Sequence, residues 1–140
     1  MKERMDIQSE EIMIDEMEEK SFETDLNSLN AAVRRNAAAE LRELCNTRKV
    51  RLNEELDIHN LHCHTFFSYN GFGFSPSRIA WLAKKSGWFA VGMVDFDVLD
   101  GVDEFLEATQ WFNLRAVAGM ETRVFIPEFA DKEINSPGEP

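Results

Sequence analysis

A chain of 140 residues that is 44% hydrophobic, with eleven Phe and three Trp, carries enough apolar material for a packed core and excludes a disordered polymer. Its net charge of −11 is unsuited to gripping nucleic-acid backbone over a broad surface and leaves room for a local basic groove only. Two cysteines, Cys45 and Cys63, are too few for a disulfide framework, and no stretch is long and apolar enough to span a bilayer. The expectation is a cytoplasmic, soluble chain without membrane attachment, one domain or part of one.

Residues 1–25 hold ten acidic and three basic side chains, a net of −7. With only Ile12, Met13, Ile14 and Met17 as apolar points, they read as a solvated, partly disordered arm rather than a docking element. Residues 26–50 are expected to form an amphipathic helix from about Leu26 to Thr47. Leu26, Leu29, Val33, Ala37, Leu41 and Leu44 recur at three- and four-residue steps, among alanines of high helix propensity. Arg34, Arg35 and Arg42 are read as its solvated face, and the helix as packing against the outside of the unit formed by the rest of the chain.

From Glu55 the pattern changes to alternating strand and helix, and residues 51–140 are read as one α/β unit. A short strand runs into His62-Cys63-His64. A loop rich in Gly and aromatics comes next, from Thr65 to Phe74. Ser75 caps and Pro76 opens a helix whose apolar stripe is Ile79, Leu82 and Ala83, and Gly87 ends it in the left-handed position. Trp88 to Val94 is a continuous apolar run, as expected of a parallel strand covered on both faces; it stops at Asp95. A second helix is expected from about Gly101 to Phe112, and a third strand from Leu114 to Met120, stopping at Glu121. Asp97 and Asp100 are assigned to the turn and to capping the second helix. Val124 to Ala130 reads as a further extended segment, and residues 135–140 as a loop.

The order strand-helix-strand-helix-strand fits parallel crossovers, which bring the carboxyl ends of all three strands to one rim. In a strand, residues two apart share a side, so His62 and His64 project together while Cys63 faces away and His59 has the opposite parity. The rim therefore receives two imidazoles from the first strand, Asp95 from the second and Glu121 from the third. That mixed nitrogen and oxygen set points to a divalent transition metal, Zn, Mn or Fe, in preference to Mg or Ca.

Leu61-His62-Cys63-His64-Thr65, the Ser-Pro helix opening, Val94-Asp95-Phe96-Asp97 with Gly101 beyond it, and Ala118-Gly119-Met120-Glu121 together resemble the PHP (polymerase and histidinol phosphatase) family over about residues 56–123. The resemblance implies a distorted (β/α)7 barrel, of which this chain would supply the N-terminal part, a metal cluster at its rim, and hydrolysis of phosphate esters. It matches His62, His64 and Glu121 to metal ligands and Asp95 to an acid that ligates or orients. Two positions depart from the family. Phe96 stands where the family has a histidine, and Tyr69 or Asn70 where it has an acid, so no more than two ions are expected. The function expected is metal-dependent hydrolysis of a small phosphorylated substrate or nucleotide. The alternative is a catalytically reduced module of the same fold that serves structure or partner binding.

Overall fold

Three apolar strands and the helices that link them set the architecture in the computed structural model, which describes residues 2–133. Strands β1 (Leu56–Cys63), β2 (Trp88–Phe96) and β3 (Arg115–Glu121) form one parallel sheet in the order β1-β2-β3. Helix α3 (Pro76–Lys85) joins the first pair and α4 (Val102–Trp111) the second. Ahead of the sheet lie α1 (Lys2–Asp25) and α2 (Ala31–Asn46). The result is a mixed α/β fold with a small parallel sheet and four α-helices. The described residues contain no helix long and apolar enough to cross a membrane.

Local chemistry fixes the helix ends. Ser75 accepts a hydrogen bond from the Arg78 amide and Pro76 takes the first helical position of α3, where its missing N–H costs nothing. Gly87 sits at φ +74° and packs so tightly that a β-carbon there would lie 2.1 Å from the Glu54 carbonyl oxygen. Only glycine tolerates both demands. At the start of α4 the capping position falls to Gly101, with no side-chain cap, so Asp100 does not play the capping role expected of it. Asp97 is the turn residue, at φ +56°, a region Asp enters more readily than most residues.

The core is built in layers. Val91 and Met93 of β2, with Cys63, Ala116 and Ala118 from the flanking strands, pack against Ile79 and Ala83 of α3 and Phe105 of α4. A second cluster joins Ala80, Trp81, Ala108 and Phe112 on the outer side of those helices to Ala37, Ala38, Leu41 and Leu44 of α2. The sheet face opposite the helices is uncovered, and Val117, which pairs with Gly92, is exposed on it. Strand β1 is irregular, its register slipping between Asn60 and Cys63. There it leans into β2, since a β-carbon on Gly92 would meet the Leu61 backbone at 2.5 Å.

Four further expectations are corrected. The acidic N-terminal segment is helical, and its C-terminal end docks. Phe22 packs on the outer core, and Glu23 accepts from the Trp81 indole at 2.8 Å and from Lys85 at 2.6 Å. Burial opposes the Glu23 charge, but the hydrogen bonds from Lys85 and Trp81 outweigh it and hold the carboxyl below its ordinary value. Burial likewise opposes the Lys85 charge, and its bonds to Glu19 and Glu23 hold the ammonium above its ordinary value. The second helix starts at Ala31 rather than Leu26, because Asn30 caps it by accepting from the Ala32 amide, while Asn27 is tied to Gly73 and Ser75 in the loop before α3. Arg34 is not solvated. It is 3% exposed and held by Glu104 and the Ser28 carbonyl, the pairing a buried guanidinium requires. Past β3 the chain makes a short 3-10 turn at Pro127–Phe129 within the segment expected to be extended, and the expected loop 135–140 lies outside the described residues.

Candidate metal centre

Parallel pairing in register carries the rim residues to their places. Phe96 pairs with Glu121 across β2 and β3, and Cys63 pairs with Met93 across β1 and β2. Cys63 thus joins the covered face, where burial pushes its thiol up, and the histidines on either side of it turn to the uncovered face. Adjacent strands lie about 4.8 Å apart, so β1 and β3 are separated by roughly 10 Å. Long side chains close that gap over the end of β2. His62 Nε2 lies 3.1 Å and His64 Nε2 3.6 Å from Glu121 Oε2, and the two imidazole rings meet edge to face at 5.0 Å.

His62, His64 and Glu121 each offer one ligand atom, and these atoms lie within 4.8 Å of one another. Two imidazoles and one carboxylate, with a further position open, are the donor set of catalytic zinc sites. His64 Nδ1 is buried without a hydrogen-bond partner, and buried polar atoms are rarely left so. The cluster is graded in exposure, with the His62 side chain 65% exposed and that of His64 14%. It is therefore open at His62 and closed at His64.

Asp95 is at the rim but not in this cluster. It lies on the covered face and is fully buried, and both of its oxygens are engaged by Thr65, the amide at 2.6 Å and the hydroxyl at 2.5 Å. A carboxylate that accepts two hydrogen bonds from the residue next to His64 fixes the end of β1 against β2. His59 stands apart, its ring against Phe89 at 4.8 Å.

Phe96 occupies the rim beside Glu121 and stacks on His64, the rings 5.7 Å apart and 14° from parallel. Its amide donates to Ser68 Oγ at 3.1 Å, and Ser68 in turn is bonded to Asn70. Asn70 is therefore spent on the loop, while Tyr69 is exposed and tilts against the Phe96 ring at 5.1 Å. Two residues at this rim have no role in the sequence reading. Thr65 could have been found as the partner of Asp95 from the parity of β2, which puts Asp95 on the same face as Val91 and Met93. Arg123, whose guanidinium lies 5.8 Å from the Phe96 ring centroid, gave no signal at all. Comparison of the chain with family models, characterised proteins and solved structures finds no match.

Proposed function

We propose that this chain forms the metal-binding rim of a phosphoesterase of the PHP type. The single observation that carries the reading is the convergence of His62, His64 and Glu121 from two non-adjacent strands, with their donor atoms within 4.8 Å. The three-stranded sheet is, in this reading, the first arc of a distorted (β/α)7 barrel. Its uncovered face becomes the barrel interior, and its carboxyl-end rim the place where such folds carry their sites.

His62, His64 and Glu121 would hold a divalent transition metal, Zn, Mn or Fe, which when bound supplies Lewis acidity toward a phosphoryl oxygen and a hydroxide at neutral pH. The remaining work belongs to the chain. Asp95 locks Thr65 and with it the direction of His64. Glu121 places a negative charge beside both imidazoles and keeps them oriented. Phe96 walls one side of His64 with an apolar ring that excludes water and offers no lone pair. The substrate is a small phosphorylated molecule or a nucleotide.

Phe96 also favours a second reading, in which the centre binds metal without turning over substrate, because the ring takes the place of a ligand and Tyr69 and Asn70 supply no carboxylate in its stead. Metal analysis of the purified chain and of His62→Ala/His64→Ala separates metal binding from its absence. Hydrolysis of a chromogenic phosphomonoester by the metal-loaded protein then separates the two readings. Equal metal content in wild type and double variant would sink both.

A further inference from the structure

We propose that Ser68 is a positioning residue of this centre: its hydroxyl seats the Phe96 amide and so holds the Phe96 ring against the His64 imidazole in its ligating orientation. The inference rests on reading His62, His64 and Glu121 as a metal site, and it adds a residue outside the ligand set. A metal-bound imidazole is usually held by a hydrogen bond from its other ring nitrogen. Among the described residues His64 has no such bond. Its Nδ1 is without a hydrogen-bond partner, and its Nε2 lies 3.6 Å from Glu121 Oε2, too far for a hydrogen bond. Asp95, through Thr65, fixes the backbone that carries His64, but rotation of the ring about its own bonds is left to neighbouring rings. His62 meets it edge to face, and Phe96 lies within 14° of parallel to it at 5.7 Å. A ring already confined to one orientation does not have to be ordered when the metal arrives.

What holds Phe96 lies at the end of β2. On the β3 side the Asp97 amide donates to the Glu121 carbonyl at 2.9 Å, and the Thr122 hydroxyl donates to the Asp97 carboxylate. On the β1 side the paired residues end at Cys63 and Met93, so the Phe96 amide has no strand carbonyl to meet. Ser68 Oγ takes that place and accepts the amide at 3.1 Å. Ser68 is 4% exposed, so water does not replace the bond when the hydroxyl is lost. Its own proton goes to Asn70 Oδ1, which turns its lone pairs toward Phe96.

The turn itself is closed. The Ser68 amide donates to the Thr65 carbonyl at 3.1 Å and the Gly71 amide to the Ser68 carbonyl at 3.0 Å. Gly71 packs there so closely that a β-carbon would lie 1.9 Å from the Thr65 carbonyl oxygen. The segment that leaves His64 thus reaches β2 twice, through Thr65 to Asp95 and through Ser68 to Phe96. One clasp carries both the ligand and the ring that stacks on it.

The 140-residue chain, with zinc as the probe, tests this. Zinc affinity is measured by competition with a chelator. The His64 ring is followed in the zinc-free protein by proton NMR, where the Phe96 ring current displaces its ring protons. Ser68→Ala and Phe96→Leu are each expected to weaken zinc binding about 3–10-fold, the worth of one aromatic contact. The double variant Ser68→Ala/Phe96→Leu should bind no more weakly than Phe96→Leu, since residues that act through one contact are not additive. The displacement of the ring protons should vanish in Phe96→Leu and shrink in Ser68→Ala. Unchanged zinc affinity in Ser68→Ala overturns the inference and leaves the metal reading standing. So do losses that add in the double variant, the mark of a loop that is merely loosened. Should Ser68→Ala fail to fold, Asn70→Ala, at an exposed position, carries the test. His64 ring protons that move there toward their Phe96→Leu positions support the inference, and ring protons that stay in place overturn it. A wild type that takes up no zinc overturns the metal reading, and the inference with it.

Discussion

Replacing Asp95 separates an anchor from a ligand. Its carboxylate is fully buried and accepts the Thr65 amide and hydroxyl, and Thr65 is fully buried as well. Asp95→Ala strips the acceptor from two buried donors, each costing about 1–3 kcal/mol when left unpaired, and leaves a small void besides. The expected loss is about 3–5 kcal/mol, a large share of the roughly 5–15 kcal/mol that holds an ordinary domain together. Asp95→Asn keeps the volume and one acceptor for the Thr65 amide. It loses the charge assistance and the acceptor for the Thr65 hydroxyl, toward which the Asn amide now donates, and should cost about 1–3 kcal/mol. Urea denaturation monitored by circular dichroism at low protein concentration gives both values. Metal titration of the same proteins completes the test. Asp95→Ala should weaken binding by about 10–100-fold, as loss of an outer partner does, and Asp95→Asn by less. An Asp95→Asn protein of unchanged stability that no longer binds metal would refute the anchoring role and make Asp95 a direct ligand.

Phe96→His alone should not create an additional tight site, because Asn70 is bonded to Ser68 and Tyr69 brings no carboxylate; calorimetric titration with Zn or Mn that finds one more tight site would show the remaining ligands already in place. The contact of α1 with α3 should be acid-labile. Glu23 is held below its ordinary 4.5, so its contribution is full above that value and is lost as pH falls through the depressed one. Lys85 is held above its ordinary 10.5, so its contribution is full below that value and is lost only as pH climbs through the raised one. The Glu23–Trp81 bond makes indole fluorescence the reporter, and an acid transition that persists unchanged in Glu23→Gln would contradict the assignment.

The sequence carried the sheet and its rim because their signals are local. An apolar run too short for a helix, a Ser-Pro opening and a glycine at a helix end each act within a few residues, and strand parity then sorts His62 and His64 from Cys63. What it did not carry depends on partners far along the chain. The end of α1 docks through Glu23, whose partners Trp81 and Lys85 lie some sixty residues on. Arg34 looks like any surface arginine until Glu104, 70 residues away, is brought against it by the packing of α2 on α4. Leu26 continues the apolar periodicity of α2 without being part of it, because Asn27 binds the loop before α3 and the chain turns there. Arg123 comes after the last strand with no periodic pattern around it, and only the Asp97 turn shows why it is held over Phe96.

X-ray absorption fine structure of the zinc-loaded protein tests the centre most directly, because it reads the donor set itself. Strand parity turns Cys63 to the covered face and both histidines to the rim. The expected spectrum is therefore a shell of nitrogen and oxygen at about 2.0–2.1 Å with the outer scattering of two imidazoles, and that imidazole signal should disappear in His62→Ala/His64→Ala. A sulfur shell near about 2.3 Å, or a wild-type spectrum without imidazole, would contradict it.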